Sequence, residues 1–204
     1  MTATSERIRR MPRAERREQI LDAASRAFAR AGFAKTSLDA IAAEAAVTPV
    51  ILYRHFESKA DLYRAVLERA YIQLREATGP DDFDEASIPA LVRAATANPD
   101  AFRLLFRYAA RETEFHDTID TFDASAIEIT RRHLISRIAD RQWRDWAAKL
   151  LPTLTTDAVV AWLDSGQPDP DQAPARIRWV VDAVVEAAQP DAIGNARGTT
   201  ATTT

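Results

Sequence analysis

Apolar residues recur along this chain at helical spacing, without the strict alternation that indicates a β-strand. In residues 13–31 the apolar positions fall within ~120° of arc on a helix, and charged side chains occupy the opposite side. Gly32 follows this segment, as is common just beyond a helix C-terminus. The pattern therefore predicts an amphipathic first helix that ends at Gly32.

Three further helices are predicted from capping residues that precede apolar periodicity: residues 37–45, residues 48–55 and a longer helix from Lys59 toward Ala77. Thr48 is a favourable N-cap, and Pro49 fits the first helical position. Ser58 caps the longer helix in the same way. The first two of these segments are short, and only a tight turn separates them.

The rest of the chain continues as helical segments separated by breaks that contain proline or glycine. These segments cover residues 88–97, 100–112, 116–139, 143–165 and 175–188. Pro152 lies inside the fourth of them and is expected to kink or split it. The tail, residues 190–204, is small and polar, which predicts disorder. Helices joined by short loops indicate an all-α bundle.

Composition narrows the possible classes of function. Apolar residues make up 47% and charged residues 28% of the 204-residue chain, a globular balance. The chain has no apolar run of membrane-spanning length and no apolar N-terminal stretch typical of a secretory signal. The absence of cysteine and the three scattered histidines argue against disulfides, thiol chemistry and a zinc site. We expect a cytoplasmic protein without a metal or cofactor.

Charge is distributed unevenly. The formal net charge is −3, yet residues 1–60 carry eleven Lys/Arg against seven Asp/Glu, and the remainder carries sixteen against twenty-three. A basic N-terminal part on an acidic body suggests a polyanionic partner. Six arginines lead into the first helix: Arg7, Arg9, Arg10, Arg13, Arg16 and Arg17. They are equally compatible with a solvated, disordered tail.

The short helices at 37–45 and 48–55 have the proportions of a helix-turn-helix. Three apolar residues, Val47, Leu52 and Phe56, can point inward and hold the pair together. The neighbouring Pro49, Val50 and Ile51 cannot all be core as well, so at least two are expected on the exposed first turn of the second helix. That turn enters the major groove in such motifs, where apolar groups can meet thymine methyls. The alternative is a purely structural helix pair.

The segment also resembles a known family, the TetR family of bacterial transcriptional regulators, over roughly residues 13–70. The resemblance is carried by many spaced positions at once: Gly32-Phe33, Thr36, Ile41-Ala42, Ala45, Val47-Thr48, Leu52-Tyr53, His55-Phe56, Ser58-Lys59 and Leu62. Beyond residue 70 only helix number, length and the character of the last helices agree.

The resemblance implies a homodimer of nine to ten helices per subunit that binds a DNA operator and a small effector. It divides the chain into a DNA-binding domain (1–58, with an arm at 1–12), an effector-binding and dimerisation domain (59–189) and the tail. By position it implies phosphate contacts from Thr36, Ser37, Thr48, Tyr53, His55 and Lys59. It places Pro49, Val50 and Ile51 against bases, with Arg54 at the edge.

Two positions depart from the family pattern. Ala46 stands where glycine is common, so the backbone there must avoid positive φ or accept strain. Val50 stands where a small residue is usual, and together with Pro49 it leaves few side chains able to hydrogen-bond base edges. We therefore predict operator recognition weighted toward thymine methyl groups and DNA shape.

The body is predicted to bind an apolar or amphipathic effector and to dimerise. Six aromatic residues could line an effector pocket or simply form core: Tyr71, Phe102, Phe106, Phe115, Phe122 and Trp143. Apolar positions on the last two long helices predict the dimer interface: Trp162, Ile177, Trp179, Val181 and Val184. No catalytic constellation is present in the sequence. A ligand-controlled repressor is favoured, and an activator or a helical adaptor without DNA binding is the alternative.

Overall fold

A computed structural model describes residues 11–79 and 84–189, and within these ranges helices are joined by turns and loops, with no strand. The helices are α1 Arg13–Lys35, α2 Leu38–Glu44, α3 Pro49–Tyr53, α4 Lys59–Thr78, α5 Ser87–Ala97, α6 Pro99–Arg103, α7 His116–His133, α8 Arg141–Asp164 and α9 Ala173–Ala187. The all-α prediction is confirmed. Most of the predicted arm, residues 1–10 with three of its arginines, and the predicted tail, residues 190–204, lie outside the described residues. Each described helix is too short or too polar to span a bilayer.

The chain forms two compact units, Met1–Val66 and Leu67–Thr204, which we call the head and the body. The division falls inside α4, whereas the sequence prediction placed it at the start of that helix. The first half of α4 belongs to the head because Leu62, Tyr63 and Val66 are completely buried.

The head core is built from one apolar face of each of its helices. Ile20 and Phe28 of α1, Ile41 of α2, Leu52 of α3 and Tyr63 of α4 have no exposed surface. Phe28 and Tyr63 meet edge to face at 4.8 Å between ring centroids. Burying a large apolar side chain contributes about 1.5–3 kcal/mol, so this cluster accounts for much of the cohesion of the head.

Ion pairs and a glycine fix how α1 ends and meets α2. Arg26 and Arg30 of α1 both bind the carboxylate of Glu44, and hydrogen bonds from the two guanidinium groups hold the pKa of Glu44 below its usual range. Gly32 has φ of +76°, a left-handed conformation that interrupts α1 near its end. The predicted helix break at Gly32 is confirmed, and a last short turn follows it.

The body packs its helices around two apolar clusters. One contains Phe102, Val159, Leu163 and Ile177 among others, and the second joins Leu134 and Ile138 to α8 and the end of α9. Helix α8 contributes to both clusters.

Some of the predicted boundaries in the body differ from those in the structure. Helix α8 runs unbroken from Arg141 to Asp164, so Pro152 does not split it, and the kink that was the other expected outcome stays a prediction. The predicted helix at 100–112 is instead α6 followed by a π-helical turn, Leu104–Tyr108, and two 3₁₀ turns. Helix α7 ends at His133, where a 3₁₀ turn takes over.

Candidate nucleic-acid interface

The turn between α2 and α3 is a Schellman motif. The Val47 N–H donates to the Ala42 carbonyl at 2.9 Å, and the Ala46 N–H donates to the Ala43 carbonyl at 3.1 Å. Ala46 has φ of +50°. Of the two outcomes predicted for an alanine at this position, the chain therefore takes the strained one, because both hydrogen bonds require a left-handed residue here.

Gln19 of α1 holds the same turn from the other side. Its side-chain amide donates to the Ala45 carbonyl at 2.9 Å and its Oε1 accepts from Arg16, also at 2.9 Å. Gln19 was not among the residues predicted from the sequence, where its polarity at the edge of the apolar face of α1 was the available signal. The turn is thereby tied to α1, so α3 begins from a fixed point.

Helix α3 is short and divides its side chains between core and solvent. The Thr48 hydroxyl caps it by accepting from the Ile51 N–H at 3.4 Å, and Pro49 occupies the first turn. Leu52 is completely buried and Phe56 is 2% exposed, whereas Val50 is 62% and Tyr53 56% exposed. The helix ends at Tyr53, earlier than the predicted end near Phe56.

The four residues predicted to face bases all belong to this segment. Pro49, Val50 and Arg54 are exposed, and Ile51 is partly buried. An apolar residue on an exposed helix start contributes little to the core of its own subunit. Helix α3 therefore presents an apolar first turn that is free to pack against a partner.

Four of the predicted phosphate contacts lie where they remain accessible. Ser37 and Thr48 are exposed N-caps of α2 and α3, Tyr53 is exposed, and His55 is partly buried. A hydroxyl that accepts a backbone N–H keeps its own proton available for donation.

The side chain of Thr36 is a poor match to its predicted role. It is 5% exposed, and its hydroxyl lies 2.7 Å from the Gly32 carbonyl and 3.3 Å from that of Ala27. The hydroxyl therefore faces carbonyls of α1 at and before the break at Gly32. We remove Thr36 from the candidate set, because its single proton is already used inside the head.

Lys59 is also engaged inside the head. Its ammonium lies within hydrogen-bonding distance of the carbonyls of Phe33, Ala34 and Thr36. The same nitrogen sits 4.4 Å from the centroid of the Phe33 ring. A direct phosphate contact would require one of these interactions to be given up, so Lys59 also leaves the set of direct contacts.

Arginines of α1 add positive charge beside His55. The Arg17 guanidinium lies over the Phe56 ring at 5.2 Å, and Arg13 reaches the Arg54 carbonyl at 3.5 Å. Burial, followed by the charges of Arg13, Arg17 and Arg16, holds the pKa of His55 below its ordinary value. The sequence marked these arginines only as a basic lead-in, because their closeness to α3 depends on tertiary packing.

The body contains a second candidate site, a mainly apolar cavity of about 290 Å³. Helices α4, α5, α7, α8 and α9 contribute to its wall, and the rings of Tyr71 and Phe122 stack there with centroids 3.9 Å apart. Arg137 and Asp182 on the wall form an ion pair at 3.2 Å. Asp123 is also on the wall, and desolvation, with a smaller contribution from the charge of Asp120, raises its pKa. Such a cavity suits an amphipathic small molecule.

The predicted pocket aromatics divide between this cavity and other places. Tyr71, Phe106 and Phe122 line it. Phe102 and Phe115 do not: Phe102 packs in an apolar cluster of the body, and Phe115 is buried elsewhere with no exposed surface. Trp143 lies on the surface, 45% exposed and edge to face with Trp146 at 5.5 Å.

The residues predicted for the dimer interface also differ in their exposure to solvent. Trp179 is 74% exposed on α9. Ile177 is 6% exposed in the apolar core, so its side chain is not available to a partner. Val181 and Val184 are partly buried against the clusters of the body, and the Trp162 indole donates to the Pro168 carbonyl at 2.8 Å. Of these five residues, Trp179 alone is largely exposed, and the interface itself stays a prediction.

These observations define a class of protein: a helix-turn-helix head, with an apolar first turn exposed on its second helix, joined to a helical body that encloses a cavity. The family model described as bacterial regulatory proteins, tetR family, matches residues 20–66. Over these residues the head is a TetR-family domain.

Individual relatives agree with this assignment over different parts of the chain. The transcriptional activator FasR of Mycolicibacterium smegmatis is 50% identical over 60 residues, 29% of this chain and 27% of that protein. The transcriptional repressor SCO4008 of Streptomyces coelicolor is 37% identical over 90 residues, 43% of this chain and 46% of that protein. The chain thus matches less than half the length of either curated relative.

A solved structure matches the fold over nearly the whole chain. A TetR-like transcriptional regulator from Rhodococcus sp. RHA1 superposes with a TM-score of 0.68 at 26% identity, covering 93% of this chain and all of that one. The similarity beyond residue 70, which the sequence alone supported weakly, therefore extends to the architecture of the body.

Proposed function

We propose that this protein is a dimeric, ligand-responsive transcriptional regulator that inserts α3 of each subunit into the major groove of an operator. The proposal rests on the exposure of the side chains of α3. Leu52 is buried, whereas Val50 and Tyr53 are exposed. Val50, 62% exposed on this apolar first turn, is costly in water but favourable against thymine methyl groups. The family assignment supports DNA as the partner.

Phosphate contacts surround this turn in the proposed complex. The set comprises Ser37, Thr48, Tyr53 and His55 from the sequence prediction, with Arg13 and Arg17 added from their position beside His55 and Phe56. Phosphate contacts fix position and register, and the base-facing residues Pro49, Val50 and Ile51, with Arg54 at the edge, supply selectivity. Because these side chains offer few hydrogen bonds to base edges, selectivity rests on methyl contacts and DNA shape.

The proposed dimer forms through the outer faces of α8 and α9. Trp143, Trp146 and Trp179 expose 45%, 41% and 74% of their surface there. Aromatic residues exposed to this degree are enriched in protein interfaces. Two heads held by such a dimer would reach successive major grooves, ~34–36 Å apart, so the operator should be an imperfect palindrome.

The cavity of the body is the proposed effector site, and an apolar or amphipathic molecule is its proposed ligand. The effector acts by binding one conformation of the dimer better than the other. A coupling of ~1–3 kcal/mol would change operator affinity 5–150-fold. Helix α4 is the proposed transmitter, because it begins in the head and its later residues line the cavity.

Repression is the direction we favour, with the effector releasing the protein from DNA. Curated relatives include both a repressor and an activator, so the direction of control is part of the proposal. Action on an operator places the protein in the bacterial cytoplasm, on the nucleoid when bound. We propose no catalytic activity.

The test is selection of bound sequences from random DNA, followed by gel-shift titration with the selected site at two salt concentrations. The proposal predicts a palindromic site and tight binding that weakens steeply as salt rises. Binding without sequence preference, or no binding, would instead favour a helical ligand-binding or adaptor module that has lost DNA recognition.

A further inference from the structure

Lys59, the first residue of α4, is held by the main chain of residues 33–37, the segment from the break at Gly32 to the N-cap of α2, which we call the connector. Its Nζ lies 2.9 Å from the Phe33 carbonyl, 3.2 Å from that of Thr36 and 3.4 Å from that of Ala34. An ammonium group has three N–H donors, and these carbonyls match them in number. The face of the Phe33 ring, 4.4 Å away, supplies a cation–π contact to the same nitrogen.

The connector depends on this contact because it follows a helix break. Gly32 leaves the helical conformation with φ of +76°, and carbonyls at a helix end lack their usual i+4 donors. Here the Phe33 carbonyl also accepts the Thr36 N–H, at 3.4 Å. A lysine near a helix C-terminus can satisfy them and complements the negative end of the helix dipole. The Thr36 hydroxyl adds a hydrogen bond within the same segment, since it donates to the Gly32 carbonyl at 2.7 Å.

The connector leads directly into Ser37, the N-cap of α2 and a proposed phosphate contact. The Ser37 hydroxyl accepts from the Ala40 N–H at 3.1 Å, which fixes the hydroxyl to α2. The place of Ser37 is therefore set by two groups of contacts: those within α2 and those that Lys59 makes with the residues just before it.

We infer that Lys59 is a positioning residue for DNA binding and not itself a phosphate ligand. It ties the start of α4 to the α1–α2 connector and thereby sets the place of Ser37. This inference rests on the proposed function. It also links α4 to α2 through the connector, because a displacement of the first turn of α4 would move the connector with it.

The test compares Lys59→Met with Lys35→Met in the full-length protein. Both variants lose one positive charge near the connector, but Lys35 is an exposed residue of the last turn of α1. Lys59→Met should lower the melting temperature of the free protein by about 3 °C or more, and Lys35→Met should not. Should Lys59→Met fail to fold, Lys59→Gln removes the same charge while keeping two donors.

Operator affinity is then measured across a range of salt, well below both melting temperatures. Lys59→Met should bind roughly tenfold more weakly at every salt concentration, with the slope of log K against log salt unchanged. A direct phosphate contact would instead reduce that slope by about 0.9, and this result would overturn the inference.

A double-mutant cycle with Ser37→Ala separates positioning from general destabilisation. If Lys59 acts through Ser37, the loss of affinity in the double variant is smaller than the two single losses combined, whereas additive losses contradict the inference. Absence of DNA binding by the wild-type protein would refute the proposed function. The melting comparison would still test the contact, since an unchanged melting temperature in Lys59→Met overturns it.

Discussion

At the scale of single residues, Ala46 is a place where the chain accepts local strain. Its φ of +50° costs an L-residue about 1 kcal/mol, and glycine avoids that cost while losing more conformational entropy on folding. We expect Ala46→Gly to raise the free energy of unfolding by about 0.5–1 kcal/mol, measured by chemical denaturation. The matched control is Ala43→Gly, an exposed position inside α2. Ala43→Gly should lower the free energy of unfolding by about 1 kcal/mol. Equal destabilisation by both variants would contradict the assignment of strain to Ala46.

His55 makes the proposed complex sensitive to pH. In the free protein its pKa is lowered by burial and by Arg13, Arg17 and Arg16, so the imidazole is neutral near pH 7. A phosphate beside it would favour the charged form and raise the pKa, so binding takes up a proton. Operator affinity, measured by fluorescence anisotropy, should therefore rise as pH falls from about 8 toward about 6.

The same lowered pKa has the opposite effect on folding. Because the folded state favours neutral His55, its contribution to stability is complete above a pH of about 6.5 and is lost as pH falls below that value. Affinities must therefore be compared where the protein stays folded. His55→Gln should flatten the pH dependence of binding, and an unchanged slope in that variant would exclude His55 as its source.

Thr36 and Lys59 show what residue type alone does not reveal. Both can donate hydrogen bonds, and the family pattern implied phosphate contacts for both. In the folded head, carbonyls near the break in α1 use their donors. The sequence shows that a side chain can donate a hydrogen bond. It does not show which acceptors inside the protein the fold will bring close to that donor.

At the scale of elements, the starts of helices were easier to predict than their ends. Capping residues mark the starts: Ser37, Thr48 and Ser58 each accept a backbone N–H as expected. Helix α3 ends earlier than predicted, and α6 passes into a π turn, for which the sequence carries no comparable signal. The head was therefore predicted closely, since its short helices are defined by caps and one glycine.

Helix α3 gives the prediction that belongs to this scale. Val50 is 62% exposed, so Val50→Gly should change base preference across a selected set of operators while altering stability mainly through helix propensity, by about 1 kcal/mol. Ile51 is partly buried, so Ile51→Ala should change base preference and also weaken the core. Base preferences identical to wild type in both variants would remove α3 as the recognition element.

At the scale of the whole molecule, the body could be predicted only in outline. Periodicity identified its long helices, but apolar residues on them serve the core, the cavity and the exposed surface alike. Phe102, Phe106 and Trp143 illustrate this, because one is core, one lines the cavity and one is exposed. Only the packing of α7, α8 and α9 separates these roles.

The exposed tryptophans predict how the protein assembles. Trp179→Asp should shift the protein from dimer to monomer in analytical ultracentrifugation, because a charge would be buried in the proposed interface. Ile72→Asp is the matched control, since Ile72 is a 47% exposed apolar residue on α4, outside α8 and α9. A dimer that persists in the Trp179 variant, or is lost equally in both, would place the interface elsewhere.

In the proposed complex, DNA recognition depends on packing of the apolar first turn of α3 against base edges. Its most direct test replaces thymine with uracil, one position at a time, in the selected operator, since uracil lacks only the C5 methyl group that Val50 is proposed to contact. We predict that at least one substitution in each half-site weakens binding of the wild-type protein and has no effect on Val50→Gly. Equal affinity of the wild-type protein for every uracil-substituted site would contradict the account.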